Sequence, residues 1–323
     1  MKLNHCISRI AIGFILGARV SSAICSIAID FPAEDRNGKV RKPTKSDNTP
    51  GKGEKTGKKG TLNLVNFSTN CIEATDVTIS LPGKSLAFTM DKAERPIAIA
   101  DGPEISRKVN MFTFGKGEKG STLNLLQTPN GQLFGSITDT ADDTVTQIGV
   151  DADGNNYVDI TPTSEFPPEA EPFDTLGLMD GNPFQERFLS KTARRVSNAE
   201  VTIDVLVVWT KNAECAHSKL AKQCQVNNNT MQSMISLIEL AIFETNVAYK
   251  SSGVQIKLEL VHSYRSETYD EPEPSSDSFR QSLFALSGKN DGELDEVHQL
   301  RELHGADIVA MIVDDNQYCG MGK

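Results

Sequence analysis

Histidines are the first side chains to weigh for chemistry, and there are five: His5, His217, His262, His298 and His304. A zinc hydrolase of the helical type needs two of them at i and i+4. A Glu beside the first activates a metal-bound water. His298 and His304 are six residues apart, which on a helix leaves them about 240° apart, on different faces. His217 and His262 have no ligand spacing around them. Asp314 and Asp315 follow an apolar run that reads as a parallel strand, where open α/β sheets place their active sites. Two adjacent carboxylates define no reaction by themselves. No nucleophile elbow, phosphate loop or dinucleotide fingerprint is present. Asp151-Ala152-Asp153-Gly154-Asn155 has the oxygen spacing of a calcium loop, but the twelfth position is Pro162 and the flanks read as strands. A hairpin turn is the expectation there.

Cys215 and Cys224, nine residues apart, are candidates for a local disulfide or for two unpaired thiols, since spacing fixes no pairing. Cys319 is a further disulfide candidate. Asn66 and Asn228 begin N-x-[ST] tripeptides and are candidate glycosylation acceptors. Arg194-Arg195 is a dibasic pair in a polar stretch. It reads as a site for a processing protease or as a helix end with two surface arginines.

The elements that would position these residues fall into two groups. Alternating runs at 62–67, 77–81, 85–90, 132–137, 144–150 and 157–160, separated by Pro-Gly, Asp-Gly and Asn-Gly turn signals, predict a β-rich unit. From Val201 the grammar changes. Val201–Trp209 is nearly continuous and β-branched, as a buried parallel strand is. Asn227–Tyr249 has helical apolar spacing, with Asn229 or Thr230 as its cap. Val254–Leu260 alternates as a strand, Leu294–Leu303 reads as a helix stopped by Gly305, and Asp307–Val313 is again a buried strand. The order β-α-β-α-β predicts a largely parallel sheet. The whole is therefore α+β.

Length and charge bound the rest. The chain has 323 residues, enough for about two domains. A net charge of −10 argues against nucleic-acid binding by total charge, and no apolar run is long enough to span a membrane as a helix. Residues 1–23 have the basic start, short apolar core and small-residue end of a secretory signal, or form a buried N-terminal element. Secretion and an extracellular location follow from the signal reading. Residues 24–60 read as a basic flexible linker, 61–173 as the β-rich unit, 174–198 as an acidic and polar linker carrying Arg194-Arg195, and 199–323 as the α/β unit.

Four stretches in order resemble secreted zinc metallopeptidases of the reprolysin-like, metzincin group. Ile203–Thr210 resembles their opening strand, and Phe243–Val254 the end of their first long helix. Val297–Val309 resembles their helix-to-strand passage "LRD-x-x-GAD-x-V". Cys319-Gly320 resembles the start of their edge strand. The resemblance covers about 125 residues. The upstream FGSI and FPPEAEP stretches also resemble the pro-region of bacterial-type members. It implies a secreted zymogen: signal, linker, β-rich pro-domain and the first part of a zincin-like catalytic domain. A full-length relative would bind zinc and cleave peptide bonds in protein or peptide substrates with a zinc-activated water. Its zinc motif, H-E-x-x-H-x-x-G-x-x-H, would come after Cys319-Gly320. The chain reaches only Lys323, so no catalytic or metal residue is carried over. The expectation is a chain without family zinc site or activity, and with apolar strands 201–208 and 307–313 partly exposed. In some zymogens of this class a pro-region thiolate holds the zinc, but Cys71 lies in no distinctive motif and reads as structural or unpaired. The rival expectation is a non-catalytic secreted pseudo-enzyme or a pro-domain inhibitor or binding protein.

Overall fold

The structure, a computed structural model, describes residues 24–30, 58–63, 74–81, 84–91, 111–168, 200–219, 225–273 and 275–322. The signal segment, Cys6, Cys71, Cys224, Asn66, Arg194 and Arg195 lie outside the described residues.

Nine strands form a closed barrel: β1 (Ile24–Asp30), β2 (Lys58–Asn63), β3 (Asp76–Leu81), β4 (Lys84–Met90), β5 (Met111–Gly117), β6 (Thr122–Gln127), β7 (Leu133–Asp139), β8 (Thr144–Val150) and β9 (Asn156–Pro162). Their order is β1-β2-β9-β8-β7-β6-β5-β4-β3. Neighbours are antiparallel except at the seam, where β1 runs parallel to β3. Two stretches within the 24–60 span expected as linker are therefore strands. The charge that marks a linker is confined to 39–60, and the apolar ICSIAID at 24–30 pairs as a strand. The strands β5 and β6 were not anticipated. TLNLLQ packs apolar residues on both sides, which hides the alternation, and burial of both faces is the reason.

The barrel interior holds Val77, Ile79, Phe88, Leu123, Leu125, Leu133, Ile137, Ile148 and Val158, all at most 2% exposed. Leu126 and Phe134 point outward and are still buried, because a helix covers them. Gly135 sits where β7 passes close to β6. A Cβ there would stand 2.4 Å from the Asn124 carbonyl oxygen and 2.9 Å from a Leu125 methyl. Gly135→Ala should cost about 1–3 kcal/mol by overpacking, read as a fall in Tm of the full chain. The Asp151–Asn155 stretch is the β8–β9 turn. Asp151 Oδ1 accepts from the amides of Asp153 and Asn155, and Gly154 takes φ +86°. This is the expected hairpin turn, closed by an Asx hydrogen bond.

The α/β part follows: β10 (Val201–Trp209), α1 (Lys211–His217), α2 (Asn228–Ser251), β11 (Ile256–Arg265), α3 (Ser278–Ser287), α4 (Asp295–His304) and β12 (Ile308–Ile312). The sheet order is β11-β10-β12, with both pairings parallel. Alternation decides what covers each face. Val205, Val207 and Trp209 pack on Met234 and Ile238 of α2. Val208 packs on the other side, with Ala285 of α3, Leu294 and Val297. Val205–Trp209 is thus buried, while Val201 and Thr202 are exposed and Ile203 and Asp204 half-buried, so the expected partial exposure of 201–208 is confined to its first half. From Val205 on, β10 is the central strand, shielded by β11 and β12 at its edges and by side chains on both faces. The expectation holds better for β12, where Ile308 is 48% exposed.

The helix α2 is buried on two sides. Asn227 caps it, its side chain accepting from the amides of Asn229 and Thr230, with the Thr230 hydroxyl answering the Asn227 amide in a capping box. Met231, Met234, Ile235, Ile238 and Ile242 face the sheet. Ser233, Leu240, Phe243, Glu244 and Val247, at i, i+7, i+10, i+11 and i+14, share one helical face and meet the barrel.

Candidate functional site

The matched passages of the α/β part first prove to be latches. Asn246, near the end of α2, donates to the Leu258 carbonyl at 2.9 Å and accepts from the Leu258 amide at 2.7 Å, fixing β11 to the helix. At the end of α4, Gly305 takes φ +65°, the left-handed conformation of a helix C-terminus. Arg301 donates to the carbonyls of Ala306 and Asp307. Asp307 then binds Asp204 twice through the backbone of β10, amide to carbonyl at 2.8 Å and carboxylate to amide at 3.0 Å. The Arg-Gly-Ala-Asp residues therefore position a strand. They place no group where chemistry could occur.

The chemistry-bearing side chains gather past the C-terminal ends of the strands. Thr210 caps α1 by accepting from the Ala213 amide and donates its hydroxyl to Glu271. Glu271 also accepts from the amide of Asp314 at 3.0 Å. Burial pushes the Glu271 carboxyl up, while the Thr210 hydrogen bond and the Asp314 amide pull it down. Asp315 accepts from Ser278 at the start of α3. The expected position of Asp314-Asp315 after a parallel strand is realised. Their partners, Thr210, Glu271 and Ser278, come from other loops, which spacing within 307–315 could not reveal.

Beneath this lies a buried ionic hub. Glu214 is fully buried and accepts from the Trp209 indole at 2.8 Å, from the Thr230 hydroxyl at 2.5 Å and from Arg265 at 3.2 Å. Arg265 also reaches Glu267 at 2.6 Å. Its three partners use up the carboxylate, so Glu214 is occupied in holding β10, α1, α2 and β11 together. No sequence signal marked it, because its partners are 5, 16 and 51 residues away.

Beside β12 runs a groove of about 650 Å³ between α3, α4 and residues 319–322. Phe279, Leu283, Leu286, Val309 and Met311 make it apolar. At its rim Cys319 is a free, exposed thiol that donates to the Pro167 carbonyl at 2.8 Å, while its amide donates to Pro168 at 3.1 Å. Cys319, expected as a disulfide candidate, is thus unpaired here, and Cys215 is disulfide-bonded. Asn228 is exposed in the first turn of α2, and Thr230 of its tripeptide is buried against Glu214.

The histidines are scattered. His217 is half-buried against Tyr157 of β9, with its Nε2 atom fully enclosed. His298 bonds the Gly288 carbonyl. His262 and His304 stack face to face with ring centroids 4.1 Å apart, a geometry that aims no two ring nitrogens at one point. Among the described residues no three His, Cys, Asp or Glu side chains converge to hold a metal ion. They do not fit a zinc centre, and no metal-dependent step is derived from them. Among the described residues, no helix is long and apolar enough to cross a membrane.

No family model matches the chain. Three curated proteins, all named peptidyl-Asp metalloendopeptidase, are similar to it over 131 residues. Two come from strains of Stenotrophomonas maltophilia, each 30% identical, and one from Xanthomonas campestris pv. campestris, 31% identical. The similarity takes in 41% of this chain but only 27% of each relative, so what this chain resembles is about a quarter of a bacterial metalloendopeptidase.

Proposed function

We propose that the chain is the precursor portion of a secreted metalloendopeptidase of the reprolysin-like, metzincin kind. The barrel is its pro-domain and the α/β part is the beginning of its catalytic domain. The observation that carries this reading is the parallel sheet β11-β10-β12 with its long α2, held by the Asn246 and Arg301–Asp307 latches. Similarity to three metalloendopeptidases supports it. The groove beside β12, with Ile308 and Met311 on its wall, is the surface on which the remaining peptidase elements would pack. The substrate is a protein or peptide, and the metal of the complete enzyme is zinc, held by residues other than those described. Arg194-Arg195 is the site of processing between the two parts. The described residues alone carry out no hydrolysis.

The native transcript, read through the codon for Lys323, tests this. The expected result is continuation into a His-Glu-x-x-His helix, and a full-length product that binds one zinc and cleaves a peptide containing aspartyl bonds. A stop codon at that point, with no cleavage by the secreted product, would overturn the peptidase reading.

A further inference from the structure

We propose that the contact of the barrel with α1 and α2 is an acid-sensitive latch, in which protonation of His217 loosens the barrel's hold. The geometry carries it. His217 ends α1 where α1, β9 and α2 meet, on the barrel-facing side of the α/β part. From β9, the Tyr157 ring packs edge-on at 6.5 Å and its hydroxyl donates to the His217 carbonyl at 3.1 Å. From α2, the backbone of Ser233 hydrogen-bonds the imidazole, while the Ser233 hydroxyl donates to Val150 of β8 at 2.9 Å. The ring nitrogen Nε2 is buried and has no hydrogen-bond partner. A neutral imidazole can leave that nitrogen as an unused acceptor. An imidazolium would bury an N–H donor with nothing to receive it.

The charges around the ring make the cost larger. Lys219, two residues on, lies 4.8 Å over the Tyr157 ring and 2.9 Å from Asp159 of β9. The charges of Asp159 and of Asp151 in the β8–β9 turn also act on Tyr157. Burial first, then the Lys219 charge, hold His217 down to about 4 from its ordinary 6.5. Parting the barrel from α1 would expose the ring to water and return it to its ordinary value. Above about pH 6.5 the ring is neutral in both states and the contact is indifferent to pH. As pH falls from 6.5 towards 4, the parted state takes up a proton that the docked state refuses. Docking then weakens by up to about ten-fold per pH unit, on the order of a hundred-fold over the window.

One group in the same contact has the opposite sign. Glu244 of α2 accepts from Ser136 of β7 at 2.5 Å, and burial pushes its carboxyl up. A neutral Glu244 suits the docked state, so acid favours docking through this residue. Glu214, one turn back on α1, is occupied by the hub. His217 sets the direction of the switch, and Glu244 blunts it.

Hydrogen exchange of the full chain, corrected for intrinsic rates between pH 7 and 4, tests the proposal. In the wild type the opening constants of peptides covering 156–162, 211–218 and 229–244 should rise below pH 6.5 and level off near 4. Peptides of the barrel interior, 122–127, should stay unchanged. H217Q, which keeps a donor for Ser233 but cannot take a proton, should flatten the rise. E244Q should steepen it, and K219M, which relieves the docked imidazole of one neighbouring charge, should make it level off at a higher pH and so reach a smaller total rise. An unchanged slope in H217Q, or no slope in the wild type, would overturn the proposal. If H217Q does not fold, the wild-type imidazole titration decides. A His217 that titrates as an ordinary histidine while barrel contacts persist would equally overturn it.

Discussion

Glu214→Leu should lower the stability of the α/β part by about 3–5 kcal/mol. Removing one partner of a buried ion pair leaves the other charge uncompensated in a low dielectric. Here the loss strands Arg265, which is only 13% exposed, together with the Trp209 indole N–H and the Thr230 hydroxyl. Arg265 keeps Glu267 as a surface partner at 2.6 Å, so the damage stops short of a fully isolated charge. Glu214→Gln keeps the shape and one acceptor oxygen and should cost about 1–3 kcal/mol, the penalty for a neutral, partly satisfied group. The double variant Glu214→Leu with Arg265→Met should recover part of the loss, because apolar groups of similar volume need no partners. The measurement is direct. Trp209 is the only tryptophan in the chain and its indole donates to Glu214, so its fluorescence in urea reports this hub. A Glu214→Leu midpoint equal to that of the wild type would show that the hub contributes nothing net.

The α/β part was the more legible half, and the reason lies in its local grammar. VTIDVLVVW, the α2 periodicity and Gly305 each signal structure over fewer than 25 residues, and each sits where the pattern places it, with helix ends shifted by one or two positions. The Asp151–Asn155 turn was legible for the same reason. What sequence could not give was pairing over distance. Glu214, Arg265 and Thr230 look like ordinary surface residues until β10, α1, α2 and β11 converge on them. His262 and His304 stack only because β11 and α4 lie side by side. In the barrel, consecutive buried residues at Leu123–Leu126 blurred the two-residue period. The cause is that α2 covers the outer face of the barrel there, a fact of the other half of the molecule.

The same coupling means that a single side chain on α2 decides whether the two halves act together. Leu240→Asp should separate them. Leu240 is 4% exposed, set among Leu126, Phe134, Val150 and Phe243, and none of these can solvate a carboxylate. Glu244, one turn along the same helix and itself raised by burial, adds a second acid to the cluster. The expected cost is several kcal/mol, at least that of Leu240→Ala, which at a site so enclosed is about 2–5 kcal/mol. The sheet-facing residues of α2, Met234 and Ile238, are untouched, so the helix should keep its place on β10. The full-chain signature is a split. Trp209 fluorescence should follow the α/β part and pulsed hydrogen exchange of the barrel peptides 122–127 and 133–139 the barrel, with urea midpoints that coincide in the wild type and diverge in Leu240→Asp. Leu258→Asp, on the far side of the sheet contact from the barrel, should instead lower the tryptophan-reported midpoint alone. If Leu240→Asp leaves both midpoints together and unmoved, the barrel and α2 touch without stabilising each other, and loss of their contact at low pH would carry no consequence for either half.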